Sequence, residues 1–245
     1  PDHGESVAGF SNLGREAMAR ATVSQKRKAR TRSKKAGTAR TRVVPSNSGG
    51  GGNATYSGTN FQADLGAWLA IQCLAENSVS QPWGLSVDTR IEQLDFEPAP
   101  TGDILGQTTA SGLLFFEAKT NLTLSPRKDS VLAGVLRQFV LRFRAFVEQQ
   151  QRGLLTLKEC RLILAVSSGA PGSIRTDLRK AFELARSPAR IAAGSPAPIP
   201  ANVSKALKIA RGHLESAWLD LAGAAPTKAD IDALLGQAWV HTAAV

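Results

Sequence analysis

Three residues near the middle of the chain have the types and spacing for metal-assisted chemistry: Asp103, Glu117 and Lys119. They lie within Thr101–Lys119, TGDILGQTTASGLLFFEAK, which predicts two short strands joined by a turn at Thr108–Gly112. Side chains alternate along a strand, so Glu117 and Lys119 share one face while Ala118 turns to the other. The run Leu113–Phe116 is unbroken apolar sequence, which predicts a strand buried on both sides. An acid and a lysine at the end of such a strand are costly to bury without partners. A divalent cation held by Asp103 and Glu117 is the partner that cost points to. The competing reading is an exposed Glu–Lys pair on an edge strand, since both residues are common on surfaces.

Gly102-Asp103 followed by Glu117-Ala118-Lys119 resembles the core motif of the PD-(D/E)xK nucleases, the restriction-endonuclease-like superfamily. Gly102 stands where the motif's name has Pro. The opening Gly58-x-x-Phe61-Gln62 is similar to the first helix of Mrr-like nucleases, whose acidic residue is replaced here by the amide of Gln62. An amide orients water but adds no negative charge, and the nearby acids Asp64 and Glu76 are candidates to compensate. The resemblance implies an α/β fold with a mixed central sheet flanked by helices, here with extra C-terminal helices. It implies Mg²⁺ (with Mn²⁺ able to substitute) on Asp103, Glu117 and the Ala118 carbonyl, and Lys119 and Gln62 at the reacting centre. The implied substrate is DNA, double-stranded, cut with low sequence specificity. In this fold the helix after the E-x-K strand often offers a polar residue to the site, and Gln138 is the candidate.

Helices and strands must place these groups. Tyr56–Glu76 predicts a helix, with Phe61, Leu65, Trp68, Leu69 and Cys73 as its apolar stripe. Leu85–Phe96 alternates like a strand. Lys128–Gln151 is the longest expected helix; its core face includes Phe139 and Phe143, and Arg137, Arg142 and Arg144 decorate it. Cys160–Ser167 predicts a second buried strand, parallel to the first because a helix separates them. Helices are expected at Ser173–Arg186, Val203–Ala222 and Thr227–Gln237, the last behind a capping-box start, Thr227-Lys-Ala-Asp230. Ser187–Pro200 reads as a loop, Trp218 and Trp239 as core anchors, and Ala238–Val245 as the beginning of an apolar segment. This layout resembles the nuclease module of antiphage STAND-type NTPases. It implies an effector domain whose NTPase and sensor lie elsewhere, in the same or another chain. No GxxxxGK[ST] phosphate loop occurs in the 245 residues.

At 42% hydrophobic, the chain can bury one good-sized core. No apolar run approaches the ~18 residues of a membrane span, and the N-terminus lacks a signal-type apolar segment. Cys73 and Cys160 read as buried thiols of a reducing compartment, too few for a structural zinc site. A cytoplasmic protein with no membrane partner is the expectation, and homo-oligomerisation stays open. The net charge of +10 is uneven: residues 1–50 carry +8 and residues 51–245 only +2. Residues 1–54 therefore read as a disordered basic tail with a Gly-rich linker, and 55–245 as the nuclease-like domain. Within the tail, Lys26, Arg27, Lys28, Arg30, Arg32, Lys34 and Lys35 can contact phosphates without sequence preference, or simply be solvated. Two other classes remain: a non-catalytic nucleic-acid-binding module, and a structural adaptor of a larger defence complex.

Overall fold

A computed structural model describes residues 50–96, 104–187 and 198–243. They form a five-stranded mixed sheet with helices on both faces. The strands follow chain order: β1 (Ile91–Phe96), β2 (Ile104–Thr108), β3 (Leu113–Lys119), β4 (Arg161–Ser167) and β5 (Ala238–Ala243). The first three pair antiparallel, while β3–β4 and β4–β5 are parallel. The longer α-helices among the described residues are α1 (Gly50–Leu74), α2 (Val131–Gln151), α3 (Arg179–Arg186), α4 (Ala201–Ala222) and α5 (Lys228–Gln237), with one short turn of helix at Ser80–Trp83.

Strand periodicity explains how the sheet carries two cores. On one face Phe115, Leu162, Leu164 and Val240 pack with Leu136, Phe139 and Phe143 of α2, and with residues of α4 and α5. On the other face Leu114, Phe116, Ile163 and Ala165 pack with Phe61, Leu65 and Leu69 of α1 and with Trp83. Consecutive residues thus enter opposite cores, as two-sided burial requires. Each fully buried Leu or Phe contributes about 1.5–3 kcal/mol. The Ser130 hydroxyl caps α2 by accepting from the Ala133 amide at 3.2 Å. Thr227 and Asp230 form the expected capping box of α5.

Four expectations change. The first helix begins at Gly50, upstream of Tyr56; its first turn holds poor helix formers, and the sequence offers no start signal there. The strand expected over Leu85–Phe96 begins only at Ile91. Val87 is 86% exposed, Asp88 has φ 63°, and the Thr89 hydroxyl donates to the Ser86 carbonyl at 2.7 Å, so a local turn replaces the ladder. The helix after β4 opens with a π-helical stretch, Ser173–Leu178. Ala238–Ala243 is a full parallel strand, reached from β4 by a helical crossover that includes α3, α4 and α5.

A buried arginine ties these parts together. Arg161, 6% exposed at the start of β4, donates to the carbonyls of Trp83 (2.6 Å), Gly84 (2.5 Å), Lys158 (2.6 Å) and Cys160 (2.7 Å), and to Gln237 Oε1 (3.0 Å). Next to it, Glu159 accepts from the Ser86 amide and hydroxyl at 3.0 and 2.6 Å. Burial opposes the charged form of Glu159, but the Ser86 bonds and the Arg161 and Lys158 cations hold its carboxyl below the usual range. Burial pushes the Cys160 thiol up to about 11, which removes it as a nucleophile near neutral pH. Arg161→Met keeps the volume but strands two buried carbonyls, those of Trp83 and Cys160, and two part-buried ones, those of Gly84 and Lys158. It should lower unfolding free energy by about 3 kcal/mol or more, read as a lower urea midpoint at unchanged slope. An unchanged midpoint would show that water replaces the guanidinium without cost.

Candidate active site

β3 is an inner strand, hydrogen-bonded to β2 on one side and β4 on the other, and Glu117, Ala118 and Lys119 are its last residues. Glu117 pairs with Leu164 of β4, Ala118 with Ala165 and Lys119 with Val166. The edge-strand reading therefore fails: the pair sits where two parallel strands end, the usual place for ligands in parallel sheets. Alternation turns Glu117 and Lys119 to the Phe115 side, the face covered by α2. Ala118, half-buried, packs with the α1 cluster.

Glu117 is buried, with its side chain 6% exposed, and Lys119 is 30% exposed. The Lys119 ammonium lies 2.5 Å from Glu117 Oε1. Glu117 Oε2 is buried and has no hydrogen-bond partner among the described residues. A carboxylate so placed has one oxygen neutralised and one left with an open desolvation cost. Oxygen donors of this kind suit a hard cation such as Mg²⁺ or Mn²⁺, so the residue fits the implied metal. Among the described residues no group of three or more His, Cys, Asp or Glu side chains comes together. Asp103, the other expected ligand, lies outside the described residues. The β2–β3 ladder is described as far as Ile104 opposite Phe116, the residues next in the chain to Asp103 and Glu117.

Two neighbouring segments carry the other expected groups. Gly58, which opens the G-x-x-F-Q stretch, is close enough to Thr120 that an added Cβ would meet its hydroxyl at 4.0 Å. Both stretches singled out in the sequence therefore meet just past Lys119. Gln62 is half-buried one turn further along α1, on the helix that covers the face opposite Glu117. On Glu117's own face, the Arg142 guanidinium stacks over Phe115, 4.7 Å from the ring centre, and Phe139 meets the same ring edge-on. Gln138, half-buried, precedes Arg142 by about one turn, ~5.4 Å. As a crossover between parallel strands, α2 runs against β3. Gln138 therefore stands on the part of α2 that passes the Glu117 end of the strand.

Arg142 was read in the sequence as helix decoration. It is 8% exposed, whereas Arg137 and Arg144 are exposed. Its flanks, Phe139 and Phe143, carry the signal that separates it: an arginine within an apolar stripe, four residues after Gln138. The basic residues Lys26, Arg27, Lys28, Arg30, Arg32, Lys34 and Lys35 lie outside the described residues.

The chain matches no family model, no curated protein and no solved structure. No helix among the described residues is long and apolar enough to cross a membrane.

The unpaired oxygen of Glu117 permits a direct test. A cation bound there at ten times its Kd would add about 1.4 kcal/mol to folding stability, or roughly 3–5 °C in Tm for a domain of this size. Mn²⁺ should raise the Tm of the wild-type chain and leave that of Glu117→Gln unmoved. An equal shift in both proteins would place the ion elsewhere.

Proposed function

We propose that the chain is a metal-dependent phosphodiesterase that cleaves DNA, built as a restriction-endonuclease-like nuclease. The observation that carries this reading is the state of Glu117. Its carboxylate is buried at the end of an inner strand, with one oxygen on Lys119 and the other unpaired. Buried carboxylate oxygens are usually paired, so the open one is a place where a ligand would be stabilised.

Phosphodiester hydrolysis needs a deprotonated water and relief of the charge that grows on the phosphate. Asp103, Glu117 and the Ala118 carbonyl are the groups that would hold Mg²⁺, which when bound supplies an acidified water and a polarised phosphoryl oxygen. Lys119 stands at the carboxylate's edge, where as an ammonium it would orient the attacking water and screen developing charge, and as the free amine would take that water's proton. Gln138 offers a neutral amide from α2, and Arg142 a fixed cation on the same face. Gln62 lies on α1, over the opposite face of the sheet, and would act on the reacting centre only around the end of β3, through water. No base-reading element is evident, so duplex DNA would be cut with low sequence preference, after backbone contacts alone. The fitting biological role is the effector of an antiphage defence system, with a STAND-type NTPase supplying the trigger.

One observation favours a second reading, a non-catalytic nucleic-acid module: the Lys119–Glu117 ion pair already neutralises half of the carboxylate. The lysine separates the two. Lys119→Ala removes the amine and neither carboxylate, so Mn²⁺ should still bind by calorimetry while plasmid nicking falls roughly 10²-fold or more. Asp103→Ala should lose metal binding and nicking together. Lys119→Arg should rescue little, because a guanidinium holds its proton and its fork sits differently. Nicking by Lys119→Ala at the wild-type rate would end the E-x-K assignment and leave the binding module as the better reading.

The tail is tested separately. Replacing Lys26, Arg27, Lys28, Arg30, Arg32, Lys34 and Lys35 by Gln should weaken DNA binding. The slope of log K against log[salt] should flatten by up to about six if every cation meets a phosphate. An unchanged slope would mean that these cations are merely solvated.

A further inference from the structure

A cleft of ≈ 420 Å³ lies between the first half of α4 and the segment that leads from β3 into α2. Lys128, Lys205 and Lys208 line it together with Pro126, Ile209 and His213. On α4, residues 205, 208, 209 and 212 recur at helical spacing and so share a face. A Cβ added at Gly212 would meet nothing within 4 Å, which keeps that side of the cleft open. His213 is 6% exposed, and its Nε2 lies 2.7 Å from the Ser125 carbonyl oxygen. That bond fixes α4 to the segment carrying Pro126 and Lys128, so the two walls are held at a set distance.

The charge of this cleft is one-sided. Among the described residues none of its three lysines pairs with a carboxylate, and no acid lines it. Asp129, next in the chain to Lys128, is engaged by Arg127 at 2.8 and 3.1 Å, and Glu215, next to Ser216, is the other acid flanking the lining. Three ammonium groups gathered without a counter-charge repel one another, and the globular part as a whole is nearly neutral. The cleft's own lining is mainly apolar, and its exposed lysine rim is the part that suits an anion.

We propose that this cleft holds backbone phosphate of the DNA strand at a distance from the bond that is cut. The proposal rests on the reading of the chain as a DNA-cleaving protein. Two further observations select a backbone phosphate over a free nucleotide. No aromatic side chain lines the cleft to stack a base, and no carboxylate is there to accept from a ribose or a base edge. Its reach also fits. Pro126 is seven residues beyond Lys119, so the two are at most about 25 Å apart along the chain. That is less than one turn of duplex, ~34 Å. A duplex with one phosphate at Lys119 therefore meets the cleft within the same turn. There the lysines fix the register of the helix without reading its sequence.

The test uses the full chain in EDTA, so that binding is measured without cleavage. A fluorescent duplex of mixed sequence is titrated by anisotropy over a range of salt. The variant K128Q/K205Q/K208Q, which changes only exposed side chains, should bind more weakly and flatten the log–log salt slope by roughly 1–2. An unchanged slope overturns the proposal. So does a wild-type Tm rise with inorganic phosphate that the variant lacks, when the DNA slope does not move; the cleft would then serve free phosphate. Cleavage is scored separately in Mn²⁺. A chain that never nicks DNA but loses slope in the variant keeps the cleft and removes the nuclease. A chain that nicks DNA with an unchanged slope does the reverse.

Discussion

The sheet depends on one strand being buried on both faces. β3 has Leu114, Phe115 and Phe116 at 0% exposure, sending consecutive side chains into separate cores. Such a strand must be internal and must have layers above and below it. The hairpin with β2 closes one side and the crossover to β4 closes the other. Its last residues then fall where the β3–β4 ladder stops and the chain bends away through Thr120 toward Ser130. Polar groups placed there stand between hydrocarbon and solvent, and their charges are felt more strongly than at an open surface.

A second constraint keeps the opposite end of the sheet closed. Arg161 sits at the start of β4, and its fork gathers four backbone carbonyls from the 83–84 turn and from the approach to the strand. Gly112 lies against this junction: a Cβ there would fall 2.2 Å from the Glu159 carbonyl oxygen. The hairpin turn and the entry to β4 thus interlock through backbone, with no space to spare. The contrast with the other end is informative. Around Arg161 the guanidinium and the Glu159 carboxylate are paired, although the Trp83 indole N–H beside them is not, while at the other end one Glu117 oxygen is open.

How much was legible follows from which signals are local. The apolar run of β3, the run of β4 and the parallel pairing across a helix were all readable, because two-sided burial leaves an unbroken hydrophobic stretch. The capping box of α5 was readable because it is written in four residues. β1 was over-extended: the alternation Val87, Thr89, Ile91 mimics a strand, but the positive φ at Asp88 and the Thr89 hydroxyl bend the chain into a turn. β5 was not recognised, because a six-residue segment with Trp and His gains its strand identity only from lying beside β4. Arg142 looked like a surface charge, since sequence alone does not say which flank of α2 meets Phe115. At the candidate site the face shared by Glu117 and Lys119 was legible from the period of two. That one carboxylate oxygen would lack a partner was not, for that depends on every side chain around it.

The energetics of Glu117 argue that its role lies outside folding. Taking a carboxylate and an ammonium out of water costs several kcal/mol per ion, and their attraction returns this only when both groups are otherwise satisfied. Here they are not. A leucine or valine at position 117 would continue the apolar stripe of Phe115 and carry no charge into the sheet, so stability alone favours an apolar residue. A carboxylate held at fixed geometry, with an ammonium 2.5 Å away and an oxygen unpaired, is instead what a cation and a phosphate would use. The cation would complete the open oxygen and relieve the desolvation cost. Lys119, once Glu117 turned toward the cation, would be left with its charge beside the bound phosphate. On this account a cation and a phosphate would complete the charge balance of the strand end, which ties the burial of Glu117 to the chemistry proposed for it.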